Sequence, residues 1–162
     1  MAISVGDKLP NATLLKLGAD GPETVDLHGL IGDRKVVIFA LPGAFTGTCT
    51  NAHVPSFMRA REDLTKKGVT DVICISVNDP FVMQAWSDST GAGDAGITML
   101  GDPEGEFTKA MGREFNAPPA GLIARSKRYA MMVEGGEVKI IHEEESPGTC
   151  DVSGGEAMVA AL

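Results

Sequence analysis

The run Lys35-Val36-Val37-Ile38-Phe39-Ala40-Leu41, leading into Pro42-Gly43-Ala44-Phe45-Thr46-Gly47-Thr48-Cys49, decides how this chain folds. After Lys35 every residue up to Leu41 is apolar, and Val36, Val37 and Ile38 are β-branched, the pattern of a short strand covered on both faces. Val72-Ile73-Cys74-Ile75-Ser76-Val77 repeats that pattern. Between the two, Thr50 to Lys67 sets Phe57, Ala60 and Leu64 at helical spacing opposite a charged face, and Gly68 supplies a stop. The unit therefore reads strand, helix, strand.

Working outward, Asn78-Asp79-Pro80 provides a capping residue and then a proline at the first helical position, which predicts a helix over Phe81 to Ser87. Ile97 to Leu100 reads as a short strand and Glu104 to Met111 as a short helix. Apolar runs from Tyr129 to Val133 and from Val138 to His142 flank Glu134-Gly135-Gly136-Glu137, a hairpin signal. Ser153 to Leu162 predicts a terminal helix capped by Ser153. Together these give an α/β fold: a central mixed sheet with helices on both faces, closed by a C-terminal hairpin and helix. That is the plan of a thioredoxin-like domain. A flavodoxin-like doubly wound sheet competes, but the hairpin fits it less well. With no repeat, low-complexity tract or dividing linker, one domain is expected over residues 1–162.

Composition narrows the function classes. The chain has 162 residues, 43% hydrophobic and 22% charged, and no uninterrupted apolar stretch approaches a membrane span. Its first residues, Met1 to Lys8, lack the basic start and apolar stretch of a secretory signal, so the expected location is the cytoplasm. A net charge of −8 argues against a nucleic-acid partner, and the one dense basic cluster, Arg125-Ser126-Lys127-Arg128, is too short to change that. The three cysteines, Cys49, Cys74 and Cys150, are widely spaced with no C-x-x-C pair, which fits neither a disulfide framework nor a zinc ribbon. Thiol chemistry becomes the leading question.

Cys49 follows a glycine-rich turn at the end of a buried strand and stands near a helix N-terminus. Free backbone N–H groups and the positive end of the helix dipole there favour an anion and raise the thiolate fraction. The carboxyl ends of such strands are also where α/β folds place ligands. Thr46 can aim its hydroxyl at the sulfur or at an approaching oxygen, and Pro42 can stiffen the turn and shield the thiol. Taken singly, each has a plainer role: a small buried hydrophobe, a turn residue, a strand terminator.

The pattern P-x-x-x-T-x-x-C formed by Pro42, Thr46 and Cys49 resembles the active-site signature of peroxiredoxins. Pro42-Gly43-Ala44-Phe45-Thr46, His53-Val54-Pro55, Ser76 to Met83 and Arg125-Ser126-Lys127-Arg128-Tyr129 are similar to the type-five, or type II, subfamily, and the likeness runs from about Val5 to Leu162. The resemblance implies that Cys49 is the peroxidatic cysteine, Thr46 the threonine that orients peroxide and thiolate, Pro42 the shielding proline and Arg128 the arginine of the site. Arg125 and Arg128 would face opposite ways on an extended segment, and Arg128 is the one chosen to point at the thiolate. Gly47 stands where many relatives carry a second proline and leaves the loop freer. Gly47, Thr48, Phe45 and His53 are expected around the substrate pocket. Phe45 reads equally as a dimer contact or a core residue, and His53 equally as an ordering residue or a packing one.

The implied reaction is attack of the Cys49 thiolate on an O–O bond to give a sulfenic acid, which a second thiol reverses. Cys150, in the turn-rich segment Ser146 to Asp151, resembles the resolving cysteine of animal type-five enzymes; Cys74 occupies the place used by plant type II relatives but sits inside an apolar strand. Cys150 is slightly preferred, and direct attack on Cys49 by glutathione or glutaredoxin stays open. The expected activity is reduction of hydrogen peroxide and small organic hydroperoxides, with glutaredoxin/glutathione or thioredoxin as reductant, no cofactor, and a homodimer by resemblance. The alternatives are a noncatalytic redox sensor that signals in its oxidised form, and a metal-binding thiol protein, for which a Cys49–His53 pair lacks further ligands.

Overall fold

The computed structural model describes residues 2–162. Lys35–Ala40 forms the strand expected of the opening run, here the third in chain order, after β1 (Thr13–Gly18), β2 (Gly21–Asp26) and the short helix α1 (Leu27–Ile31). From β3 the chain turns into α2 (Val54–Lys66), then β4 (Asp71–Ser76), α3 (Pro80–Thr90), β5 (Ile97–Gly101) and α4 (Glu106–Ala110). An irregular two-stranded ribbon, β6 (Glu114–Ala117) and β7 (Leu122–Ser126), precedes the hairpin β8 (Tyr129–Glu134) and β9 (Glu137–Glu143). The chain ends in α5 (Gly155–Ala161).

Seven strands make one mixed sheet in the order β2-β1-β5-β4-β3-β8-β9. β3, β4 and β5 are parallel; β8 pairs antiparallel with β3, and β1 with β5. The alternation of side chains along β3 divides the core. Val37 and Phe39 face Phe57, Leu64, Trp86 and Met158 of α2, α3 and α5. Val36, Ile38 and Ala40 face Leu27, Ile31, Phe107 and Met111 on the other side, in and next to α1 and α4. Burial on both faces explains why β3 and β4 read as unbroken apolar runs, and truncating a residue such as Phe39 to alanine costs about 3–5 kcal/mol. The thioredoxin-like expectation therefore holds, with helices on both faces.

The hairpin forms as read, because Gly135 and Gly136 both take the positive φ (62° and 76°) that a tight turn between twisted strands requires. Asp79 caps α3, accepting from Val82 N at 2.8 Å, with Pro80 at the first helical position. That helix runs on to Thr90, beyond the expected Ser87. Ser153 does not cap the last helix. Gly154 stands at the cap position, and the Ser153 hydroxyl donates instead to the Glu144 carboxylate at 2.7 Å. Among the described residues no helix is long and apolar enough to cross a membrane.

Candidate active site

The turn after β3 carries the chemistry. Helical structure begins at Gly47, and Cys49–His53 form a wide turn of the π type, closed by Val54 N–H donating to the Cys49 carbonyl, before α2 takes over with Pro55 in its first turn. The turn is anchored from several sides. Thr46 Oγ1 donates to Gly43 O at 2.7 Å, Thr50 N to Thr46 O at 3.0 Å, and the Trp86 indole to Thr50 Oγ1 at 3.0 Å. Asn78, two residues past the end of β4, accepts from Ala44 N at 3.0 Å and from Ser76 Oγ at 2.6 Å, so the turn after the neighbouring parallel strand holds the loop.

Arg128 reaches this turn from the segment before β8. It is 2% exposed and its guanidinium is divided among three acceptors. Nη2 donates to Cys49 Sγ at 3.1 Å, Nη1 to His53 Nδ1 at 2.9 Å and Nε to Pro147 O at 3.0 Å. Of its five N–H groups two remain for a ligand. Among the described residues no carboxylate forms an ion pair with it, although the Glu144 carboxylate lies near enough to feel its charge. Arg125 is not the arginine that bonds the sulfur. Its Nη1 donates to Pro42 O at 3.2 Å, bracing the loop by its carbonyl.

A cleft of about 320 Å³ adjoins these groups. Pro42, Thr46, Gly47, Thr48 and Arg128 form one wall, and Phe115, Ala117, Ala120 and Leu122 of the β6–β7 ribbon form an apolar wall opposite. Cys49 itself has no exposed surface, in contrast to the reachable sulfur expected of a glycine-rich turn. The cleft comes to it through the neighbouring Gly47 and Thr48 and through its partner Arg128, all of which line it.

The remaining expected residues fall in different places. Phe45 is 55% exposed, has φ 63° and packs toward Trp86 with centroids 6.5 Å apart, outside the cleft. His53 does not line the cleft either; it is buried behind Arg128, with its ring tilted against the stacked pair of Phe39 and Phe57. Burial, and then the Arg128 charge, push its pKa down to about 3 against the bond to Ser153, so the ring is neutral at physiological pH. Nδ1 accepts from Arg128 and Nε2 donates to Ser153 O at 2.9 Å, which leaves neither nitrogen for a metal shared with Cys49.

Of the other thiols, Cys74 lies in the same buried cluster as Cys49, paired in register with Phe39. Burial, and then the proximity of Cys49, push its pKa up. Cys150 is half-buried beside α2 and α5, and burial raises its pKa as well. All three cysteines are free thiols. The segment carrying Cys150 is tied to the site by Thr48 Oγ1 donating to Gly148 O at 2.8 Å. Sequence reading missed Asn78 and Arg125 as loop braces, Phe115 and Leu122 as cleft walls, and Glu144. The carboxylate of Glu144 accepts from Asp151 N, Ser153 N and Ser153 Oγ.

Residues 4–159 match the Redoxin family model. The chain is 46% identical to chloroplastic peroxiredoxin-2E-2 of Oryza sativa subsp. japonica over 99% of its length and 72% of that protein. It is 42% identical to peroxiredoxin-2C of the same organism, over 99% of this chain and 98% of the other. A crystal structure of reduced Prx3 from Vibrio vulnificus in complex with hydrogen peroxide superposes with a TM-score of 0.91 at 41% identity, covering 98% of each chain. A buried cysteine under a guanidinium on this fold, together with relatives of this closeness, leaves one assignment: the chain belongs to the peroxiredoxin family and is a thiol peroxidase.

Proposed function

We propose that Cys49 is the thiol that meets the peroxide, with Arg128, Thr46 and Pro42 arranged around the breaking bond. The contact between Arg128 Nη2 and Cys49 Sγ, 3.1 Å at the edge of the cleft, carries this reading. The Cys49 thiolate attacks one oxygen of ROOH and the O–O bond breaks. The alkoxide or hydroxide that leaves takes up a proton, and sulfur is left as the sulfenic acid. The two uncommitted N–H groups of Arg128 are placed to stabilise negative charge on the departing oxygen. Because the Thr46 hydroxyl proton is engaged by Gly43 O, Thr46 Oγ1 is left as an acceptor for the peroxide proton. The apolar wall of Phe115 and Leu122 accommodates a carbon substituent, so both hydrogen peroxide and small organic hydroperoxides are substrates on this reading.

Cys150 is the resolving thiol in this proposal. It lies on the partly exposed segment latched to the Cys49 turn, whereas Cys74 is held protonated inside the sheet. The Cys150 sulfur displaces water from the sulfenic acid to give a Cys49–Cys150 disulfide, which an external dithiol, thioredoxin or glutaredoxin with glutathione, then reduces. Three free thiols fit a reducing compartment such as the cytoplasm. The exposed apolar side chains of Phe45 and Phe81 suit a homodimer contact.

Stopped-flow oxidation tests the central claim. Wild type should consume one equivalent of peroxide rapidly and turn over when a reductant is supplied, and Cys49→Ser should do neither. A Cys49→Ser protein as fast as wild type would overturn the assignment, and a wild type that stops after one equivalent with either reductant would make it a sensor rather than an enzyme.

A further inference from the structure

The Arg128 guanidinium is gripped from behind by a chain of hydrogen bonds that returns to its own backbone. Glu144 N donates to Arg128 O at 3.0 Å, extending the β8–β9 pairing by one step. The Glu144 carboxylate accepts from Ser153 N and Ser153 Oγ, each at 2.7 Å, and from Asp151 N at 2.6 Å. Ser153 O in turn accepts from His53 Nε2 at 2.9 Å, and His53 Nδ1 accepts from Arg128 Nη1 at 2.9 Å. Backbone, carboxylate, serine carbonyl, imidazole and guanidinium thus close a circuit.

Each link fixes the next. A carbonyl has no proton to give, so Ser153 O fixes the hydrogen of His53 on Nε2 and the lone pair on Nδ1, the only atom there able to receive a guanidinium N–H. Phe39 and Phe57 hold the plane of the ring. The Glu144 carboxylate is itself held ionised: burial acts to raise its pKa, but the bonds from Ser153 and Asp151 and the Arg128 charge outweigh it, and the net shift is downward. None of Glu144, Ser153 and His53 lines the cleft beside the reacting sulfur.

We propose that Glu144 and His53 are positioning residues for the peroxidase reaction, acting through Ser153 and Arg128 to aim the guanidinium at Cys49 and at the oxygen that leaves. The inference rests on the reading of Cys49 and Arg128 given above. It assigns work to two side chains that touch neither sulfur nor peroxide. A guanidinium displaced by about 1 Å costs on the order of 100-fold in rate, since stabilisation of the leaving oxygen depends on placement.

The test is a double-mutant cycle on the single-turnover rate of peroxide consumption, with circular dichroism to confirm folding. His53→Ala and Glu144→Ala should each slow the reaction about 10- to 100-fold. His53→Asn, whose amide oxygen can take the place of Nδ1, should recover most of the loss, and Glu144→Gln should lose less than Glu144→Ala. In an Arg128→Met background, His53→Ala and Glu144→Ala should cause no further loss, because nothing is left to aim. Should the folded His53→Asn and Glu144→Gln proteins be as slow as the alanine variants, or the losses persist in full without Arg128, the positioning role is wrong. Failure of the underlying reading is a separate result: wild type itself would then be slow, or Arg128→Met would match wild type.

Discussion

The Thr48 hydroxyl donates to the Gly148 carbonyl at 2.8 Å, joining the turn that holds Cys49 to the segment that holds Cys150, a hundred residues further on. With Arg128 Nε on Pro147 O it is one of two polar ties between that segment and the cleft wall. Thr48→Val keeps the shape and removes the bond. It should lower stability by about 0.5–1.5 kcal/mol, or a few degrees in thermal midpoint, and raise amide hydrogen exchange in residues 146–150. Unchanged exchange there would show that the latch holds nothing.

The three thiols should separate cleanly by mass mapping after one equivalent of peroxide. Wild type should yield a Cys49–Cys150 link. Cys150→Ser should stop at the Cys49 sulfenic acid, and Cys74→Ala should still form the link at a stability cost of about 1 kcal/mol for the emptied core site. A Cys49–Cys74 link would reverse the assignment of the resolving thiol.

Acid should destabilise the fold through two groups of known sign. The ordinary pKa of His53, 6.5, applies to the unfolded chain, and the folded value is about 3. Between those limits the unfolded state binds a proton that the folded state refuses, so stability falls as pH falls through this window, by up to about 1.4 kcal/mol per pH unit. Glu144, whose folded pKa is depressed, adds stability above the ordinary carboxylate pKa that is lost as pH falls through its folded value. Denaturant midpoints between pH 7 and 4 should slope accordingly in wild type, and His53→Asn should flatten that slope. An equal slope in both proteins would show that His53 is not the group titrating.

Gly47 has no positive φ, and a Cβ built on it meets no atom within 4 Å. It also stands at the first helical position, where proline is well tolerated. Gly47→Pro should therefore stabilise by about 0.4–1 kcal/mol through the unfolded state. Its peroxide rate should stay within about threefold of wild type, since no reacting group moves. A lower thermal midpoint would show that the turn needs glycine after all.

The elements legible in the sequence are those whose burial is uniform or whose turn chemistry is explicit. β3 and β4 are covered on both faces, Asp79-Pro80 starts α3, and Gly135-Gly136 turns the hairpin. The N-terminal hairpin escaped because β2 is an exposed edge strand without apolar alternation, and β6–β7 because its residues are mostly no more than half-buried and its register shifts after Phe115. Cys49, Thr46, Pro42 and Arg128 could be singled out because they lie close together in a motif or in a short basic run. Glu144 could not: in Glu143-Glu144-Glu145 nothing distinguishes the buried carboxylate from its solvated neighbours until Ser153 is folded against it. Ser153 misled for the same reason: a capping serine accepts a helix N–H through its hydroxyl oxygen, whereas this one stands a residue before the cap and its hydroxyl donates to Glu144. The sequence also suggested an open sulfur, whereas the long side chain of Arg128 folds over it.

The wide turn over Cys49–His53 accommodates one more residue than ordinary helical pitch would. Were it to relax to that pitch with α2 held in place by Phe57, Ala60 and Leu64, the helical residues 47–53 would rotate by about 100° about the axis relative to it. Sulfur would then swing off its cation, and the loop from Pro42 to Thr46, tied to Asn78 at Ala44, would have to take up the change. The contact between sulfur and guanidinium thus hangs on a single surplus peptide unit.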